Sequence, residues 1–252
     1  KIAHGFSDNI LTATILATGA PIILAPAMDA NMYDNPATQN NIEILKSRGV
    51  KIIGPDSGRL ASGLIGLGRV TDSENVLGNL NLILGANGDL KGKKIVVTAG
   101  GTKEEIDPVR YISNRSSGKM GYHLAKAAIS LGANVKLILG PTNLSMDLLN
   151  IDTYRVLDSD QMFEETMTHF KSSDVVICSA AVSDFKPAEF KDSKIKKDIG
   201  VDSIKLKPTK DIIKELGKIK KDQYLVGFAL ETDDHIDNAK VKLKSKNLDA
   251  II

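Results

Sequence analysis

KIVVTAGGTKEEIDPVRYISNRSSGKMGYHLAKAAISLGANVKLILGP, residues 94–141, is the stretch on which the reading of this chain turns. Its opening Ile95, Val96 and Val97 form a short apolar, β-branched run, the pattern of a buried strand. The run stops at Gly100 and Gly101, where a backbone without Cβ can turn tightly or let a ligand approach. From Gly118 the apolar period changes. Met120, Leu124, Ala128 and Leu131 recur at helical spacing, and Gly132 supplies a stop. Val135, Leu137, Ile138 and Leu139 then predict a second strand. The unit is βαβ, whose ligand site lies at the carboxyl end of the strand and the amino end of the helix. Backbone N–H groups and the helix dipole make that corner attractive to phosphate.

The link between strand and helix is unusually long. Residues 102–117 are polar and include Arg110, Asn114, Arg115, Ser116 and Ser117. A long polar loop at the ligand end of a sheet is usually functional rather than a spacer.

Outward from this unit, strand and helix patterns alternate on both sides. Before it, residues 1–17 are helical in pattern, with Ile10, Ala13 and Ala17 on one face. Residues 21–25 and 50–53 read as strands, separated by a polar loop holding Asn31 and Asn35 and a helix reaching Arg48. Residues 54–69 are glycine-rich and suit a close-fitting ligand or a flap, and a helix follows over 75–84. Residues 86–93 are turn-rich and mark the domain boundary, giving domains of 1–88 and 89–252. After the unit come strands over 153–156 and 174–178, and a helix between them capped by Ser159. A lysine-rich flap over 186–199 follows. The chain continues with a strand over 203–207, a helix from Asp211, a strand over 224–230 and a basic helix. The fold class is therefore α/β: two doubly wound, Rossmann-like or flavodoxin-like, three-layer domains with mainly parallel sheets.

The 252 residues are 42% hydrophobic and 25% charged, an ordinary globular composition. A net charge of +2 implies no global attraction to nucleic acid. No apolar run approaches the length of a membrane span. One cysteine, Cys178, rules out an intramolecular disulfide and fits a reducing compartment. Lys1 falls within a helical pattern and the last residues resemble a strand cut short, so the sequence reads as a fragment.

Two motifs are decoys. Gly118-Lys119 suggests a P-loop, but position 113 is Ser and Met120 follows the lysine, so the pattern fails at both ends. Tyr122 and Lys126 form the Y-x-x-x-K pair of short-chain dehydrogenases, but in the first helix instead of far downstream. No acidic residue ends the second strand to hold a dinucleotide ribose. An NAD(P)-dependent oxidoreductase is nevertheless the main rival enzyme class.

The run VTAGGTKEEIDPVRYISNRSSGKMG closely resembles the signature of phosphopantothenate–cysteine ligases, commonly the carboxyl-terminal half of a bifunctional coenzyme A biosynthesis protein. The resemblance implies that a carboxylate attacks the α-phosphate of CTP, releasing pyrophosphate, and that the amine of cysteine then displaces CMP from the acyl-cytidylate. It implies 4'-phosphopantothenate, CTP and cysteine as substrates, with Mg2+. It places the catalytic Asn at Asn114 and a nucleotide contact at Lys194. By residue type, Arg110 offers a cation to phosphate, and the turn at Gly100 and Gly101 with Ser116, Ser117 and Gly118 offers N–H donors. The segment Ala180-Ala-Val-Ser-Asp-Phe185 adds Cys178, Ser179, Ala180 and Asp184. The KIKK flap is intact from Lys194 to Lys197. A partial NPDI match gives Lys210, Asp211, Ile212 and Ile213. Phe228 contacts the base, and Lys242 and Lys246 lie in the next helix. The sequence assigns no metal ligands.

Over the first domain the resemblance is to the FMN-dependent phosphopantothenoylcysteine decarboxylase that forms the other half of such proteins. NPATQNN at 35–41 and Gly66-Leu-Gly-Arg69 match well. Asp29 replaces the family's asparagine in PAMN, and Ser62 replaces the catalytic cysteine of its ACG segment. A serine hydroxyl is far less acidic than a thiol, whose ordinary pKa is about 8.5. The departures predict impaired completion of decarboxylation. A catalytically silent flavin-binding protein is the remaining alternative. The resemblance also implies a cytoplasmic homo-oligomer, dimeric through its ligase domains, acting on small molecules and not on nucleic acid or membrane.

Overall fold

The computed structural model describes residues 1–144, 151–196, 203–230 and 234–252. The chain divides into two compact units, one over residues 1–83 and the other from Leu84 onward.

In the first unit, a single 3-10 turn over Ile2–His4 ends at Gly5, whose φ of 69° breaks the helical run. Helix α1, Ile10–Ala17, starts afresh from Asn9, whose side chain and that of Thr12 cap each other's backbone. The continuous helix expected from residue 1 is thus two pieces, and Ile10 is exposed. Strands β1 (Ile23–Leu24) and β2 (Lys51–Ile52) pair in parallel. Between them lie α2 (Ala30–Asp34), in the segment expected to be loop, and α3 (Pro36–Ser47). Asp29 caps the first and Asn35 the second, and Pro36 at the first turn needs no N–H partner. Ala3, Leu45 and Val50 form a small core with Leu24 and Ile52. The glycine-rich stretch is an antiparallel hairpin, β3 (Asp56–Arg59) with β4 (Ile65–Arg69), rather than a loose flap. Helix α4 spans Ser73–Gly85.

The second unit is built on a six-stranded parallel sheet. In chain order its strands are β5 (Lys94–Ala99), β8 (Asn134–Leu139), β9 (Asp152–Arg155), β10 (Val175–Cys178), β13 (Tyr224–Gly227) and β14 (Ala250–Ile251). Their spatial order is β9-β8-β5-β10-β13-β14. Counted along the chain this is 3-2-1-4-5-6, the dinucleotide-fold order, which reverses direction between β5 and β10. Two small additions decorate the sheet: the hairpin β6 (Glu104–Glu105) with β7 (Tyr111–Ile112), and the antiparallel pair β11 (Phe185–Pro187) with β12 (Leu206–Pro208). The helices are α5 (Lys119–Ser130), α6 (Ser159–Phe170), α7 (Ile212–Ile219) and α8 (His235–Ser245).

Five of the six residues of β5 are buried, as befits a central strand covered on both faces. Val96 joins Ile138, Val176 and Leu225 against Met162 and Phe170 of α6 and Ile212 and Leu216 of α7. Alternation along the strand turns Ala99 the other way, toward α5. That helix buries Gly121, Ala125, Ala128 and Ile129. Met120 and Leu131, expected on the buried face, are 58% and 42% exposed. Gly121 explains the rotation: a Cβ there would stand 2.4 Å from the Ala99 Cβ, so α5 seats its smallest residue on the strand. The cap of α6 is Asp158, accepting from the Gln161 N–H, and not Ser159. Ser159 is instead buried against Glu104.

Candidate functional site

The reversal of strand order puts the carboxyl ends of β5 and β10 side by side, where the two following chains diverge and leave a crevice. Gly100 and Gly101 leave β5; Cys178 ends β10, and Ser179 and Ala180 leave it. The two exits remain joined, because Ala181 N donates to Gly100 O at 2.8 Å and Gly101 bridges Ala181. Thr98 Oγ1 accepts from Ala180 N at 3.2 Å. Ser179 Oγ is buried with no hydrogen-bond partner among the described residues, a polar atom at the crevice with capacity for a ligand.

The long link from β5 to α5 is tied down by hydrogen bonds to buried side chains. Thr102, Glu104 and Asp107 are all buried. Thr102 Oγ1 accepts from Ser183 N at 3.0 Å. Glu104 accepts from both N and Oγ of Ser159, at 3.0 and 3.1 Å. Asp107 Oδ1 accepts from the N–H groups of Val109 and Arg110, each at 2.9 Å, an Asx turn closing the β6–β7 hairpin. Arg110 pairs with the Asp107 carboxylate and holds that acid well below the usual carboxylate range. Arg110 was expected to face phosphate; here its guanidinium is engaged by Asp107 and by the carbonyl of Ile195 at 2.9 Å. The buried acids are the residues missed in the sequence, where an acidic loop reads as solvated.

Beyond the hairpin, residues 113–117 line an open cleft of about 580 Å³ with Gly101, Lys103, Tyr111, Pro141 and Thr142. Lys103 lies 4.4 Å over the Tyr111 ring. Lys103, Arg115 and the hydroxyls of Ser113, Ser116, Ser117 and Thr142 give the cleft a cationic, donor-rich lining. Gly118, with φ of 75°, is the N-cap of α5 and has no side chain to cap it; the Ser117 hydroxyl accepts from Lys119 N at 3.4 Å. Ser116 Oγ accepts from Gly118 N at 3.3 Å, and Thr142 Oγ1 donates to Ser117 O at 2.8 Å. Asn114 stands at the border of the cleft. Its Nδ2 donates to Val182 O at 2.9 Å, across to the chain leaving β10. One amide N–H and the amide oxygen remain for a ligand.

On the β10 and β13 side a second group gathers. Asp211 caps α7 by accepting from Lys214 N at 3.1 Å and pairs with Lys246 at 2.8 Å. Cys178 packs against the core beside this pair. Desolvation, reinforced by Asp211 and opposed by Lys246, pushes its thiol up to about 12, so the side chain is a neutral small residue and no nucleophile. Lys210 lies 4.5 Å over the Phe163 ring. Ile212 is buried and Ile213 packs on the core, leaving backbone as their means of contact. Asp184 is exposed, and its carbonyl accepts from Thr209 N at 2.9 Å. Phe228 is half-buried just past β13, and Lys242 is half-buried on α8. Lys194 is exposed on the segment leading to Ile195; Lys197 lies outside the described residues.

In the first unit, Ser62 Oγ donates to Asp29 Oδ2 at 2.6 Å, and Met28 N donates to Gly68 O at 2.9 Å. These bonds gather the PAMD turn and both ends of the β3–β4 hairpin in one place. The Ser62 hydroxyl, followed by the Asn31 N–H, lowers the Asp29 pKa. Among the described residues no group of three or more acidic, histidine or cysteine side chains could hold a metal ion, and no helix is long and apolar enough to cross a membrane.

Comparison with known proteins agrees with this architecture. The chain is 47% identical, over its whole length and 72% of the relative's, to a cysteine/cysteine sulfinic acid decarboxylase from an unknown prokaryotic organism. It is 46% identical to the coenzyme A biosynthesis bifunctional protein CoaBC of Bacillus subtilis (strain 168), again over its whole length but spanning only 63% of that relative. Among solved structures, the C-terminal domain of a CoaBC protein matches at 41% identity with a TM-score of 0.56, covering 64% of this chain and 76% of that one. A DNA/pantothenate metabolism flavoprotein from Streptococcus pneumoniae matches at 29% identity and a TM-score of 0.55, covering 64% and 81%. Residues 1–82 match the family described as flavoprotein. Residues 90–252, well over half the chain, match the DNA/pantothenate metabolism flavoprotein C-terminal domain, and the chain belongs to that family.

Proposed function

We propose that the second unit joins 4'-phosphopantothenate to cysteine through an acyl-cytidylate, as one activity of a coenzyme A biosynthesis protein. The observation that carries this reading is the position of Asn114. It stands between a cationic, hydroxyl-rich cleft on the β5 side and the chain leaving β10, to which its amide is bonded. An acid and a nucleotide held on the two sides would meet at the switch point. The cleft's hydroxyls, Lys103, Arg115 and the nearby amino end of α5 suit a phosphate-bearing acid. Gly100, Gly101, Cys178, Ser179, Ala180, Asp184, Phe228, Lys242 and Lys246 are the proposed nucleotide side.

The carboxylate of the acid attacks the α-phosphorus; the bond to pyrophosphate breaks and an acyl-cytidylate forms. The amine of cysteine then adds to the acyl carbon, and CMP leaves. Asn114 donates its remaining amide N–H to the oxygen that gains charge in that addition. Mg2+ would accompany the triphosphate. It commonly binds through one or two carboxylates plus phosphate oxygens, and exposed Asp184 fits such a role, because Asp211 is engaged by Lys246.

The test is pyrophosphate release from the purified protein given phosphopantothenate and each triphosphate, with and without cysteine. We expect release to require Mg2+ and to prefer CTP clearly over ATP. Equal or greater release with ATP would overturn the nucleotide assignment. The proposed assembly is a homo-oligomer with dimeric ligase domains, read by light scattering.

For the first unit we propose FMN binding with weakened decarboxylase chemistry. The family match over residues 1–82 and the gathering of the PAMD, ASG and GLGR segments support it. Thr71 Oγ1, buried without a partner among the described residues, is a polar atom such a group could satisfy. Flavin would supply a two-electron acceptor. What this chain supplies differs from its family: the Ser62 proton is committed to Asp29, and a hydroxyl so held is a poor acid. Ser62→Cys is expected to raise phosphopantetheine formation from phosphopantothenoylcysteine by an order of magnitude or more. Cysteine and cysteine sulfinic acid, the substrates in the name of the 47%-identical relative, belong in the same assay as alternative substrates. Rapid turnover of phosphopantothenoylcysteine by the unaltered chain, with no gain from Ser62→Cys, would refute the impairment.

A further inference from the structure

The lysine-bearing segment before β12 has too few apolar residues to pack, yet it is fastened at Ile195. Ile195 N donates to Asp107 Oδ2 at 3.1 Å, and Ile195 O accepts from Arg110 Nη2 at 2.9 Å. Both backbone groups of one residue are therefore held by a single ion pair. A third bond, Lys191 N to Ile106 O at 3.0 Å, runs between the same two segments. The holder is itself rigid. The Asp107 side chain is fully buried, with Oδ1 taken by two N–H groups of its own turn and Oδ2 by Arg110 and Ile195. A buried carboxylate with its acceptor sites filled tolerates little displacement, because every shift leaves a polar group unpaired.

We propose that Asp107 is a positioning residue of the ligase: with Arg110 it clips the backbone of Ile195, and so fixes where the adjacent Lys194 stands for the nucleotide triphosphate. The proposal rests on the ligase reading for the role of Lys194, but not for the clip. Arg110 then acts through the segment it holds, which accounts for a cation at the site whose charge is already engaged. An error of about 1 Å in a group far from the chemistry can cost about a hundredfold in rate. The clip explains how a lysine on a polar segment could avoid that loss.

The experiment compares Asp107→Asn, Lys194→Ala and the double variant in the whole chain. It reads CTP affinity with Mg2+ by calorimetry, pyrophosphate release, and amide exchange over residues 191–196. Asp107→Asn is expected to speed exchange of the Ile195 amide by about tenfold while β5 stays protected. It is expected to weaken CTP binding about tenfold alone and less than twofold in the Lys194→Ala background, since residues acting through one group are not additive. Should Asp107→Asn fail to fold, Arg110→Gln leaves both turn bonds of Asp107 Oδ1 in place and, by releasing the Ile195 carbonyl and loosening the clip, must still speed exchange at Ile195. Unchanged exchange, or equal losses of affinity in both backgrounds, would overturn the clip. A chain that binds CTP but releases no pyrophosphate would sink the ligase reading, while these exchange and binding results still judge Asp107.

Discussion

Asn114→Asp is expected to release pyrophosphate from CTP and phosphopantothenate while transfer to cysteine stalls and the acyl-cytidylate accumulates. The amide of Asn114 has two jobs. One N–H is spent on Val182 O at 2.9 Å, which fixes the plane of the side chain. The other is left to donate toward the acyl oxygen as cysteine adds. A carboxylate keeps the size but has no N–H, and sets an acceptor against the Val182 carbonyl. Loss of one such donor typically costs about 2.7–4 kcal/mol of barrier, or roughly 10²–10³ in rate. Asn114 is not a helix cap, since Gly118 holds that position, so a cap's contribution of about 1 kcal/mol is not at stake. A single-turnover assay that follows pyrophosphate and CMP separately decides the matter. Parallel loss of both products together with a lowered melting temperature would make Asn114 a structural residue only.

The central βαβ unit was legible in the sequence because both of its signals are local. The β-branched run at Ile95 and the stop at Gly132 depend on nothing distant. The face of α5 was legible only in part: Ala128 is buried as expected. Hydrophobicity selects Met120 and Leu131, whereas the helix turns on Gly121, and only the position of Ala99 on the neighbouring strand reveals that. For the proposed site, the sequence named residues without their arrangement. Asn114, Ser116 and Ser117 do line one cleft, and Asp211 does meet Lys246. Arg110 was read as a phosphate ligand because a cation in a polar loop suggests one. Its partner Asp107 lies three residues away, yet the sequence gives no sign that this carboxylate is buried. Lys103 and Thr142 went unnoticed for a similar reason, being single polar residues with no pattern around them. The strand order itself would fit hydride transfer as well as acyl transfer; the residues after β5 and the family match separate the two readings.

Gly140→Ala is expected to damage fold and chemistry together. Gly140 N donates to Ala99 O at 2.9 Å, continuing the β5–β8 ladder past its last paired residues. A Cβ on Gly140 would stand 1.8 Å from Gly101 O, far inside contact distance, with the obstacle a backbone oxygen that cannot rotate away. Gly101 cannot retreat freely either, since it bridges Ala181 while Gly100 O accepts from Ala181 N. Relief therefore means opening the sheet where β5 and β10 part, the floor of the proposed site. Overpacking of this kind costs about 3 kcal/mol, or a melting temperature lower by roughly 6–12 °C for a domain of this size. Pyrophosphate release should fall with it, because Gly101 lines the cleft. The comparison is Gly19→Ala, where nothing lies within 4 Å of the added Cβ; there the change should stay within about 0.5 kcal/mol. A Gly140→Ala protein as stable and active as the unaltered chain would show that the two backbones need not approach so closely, and the switch-point geometry described for this site would have to be abandoned.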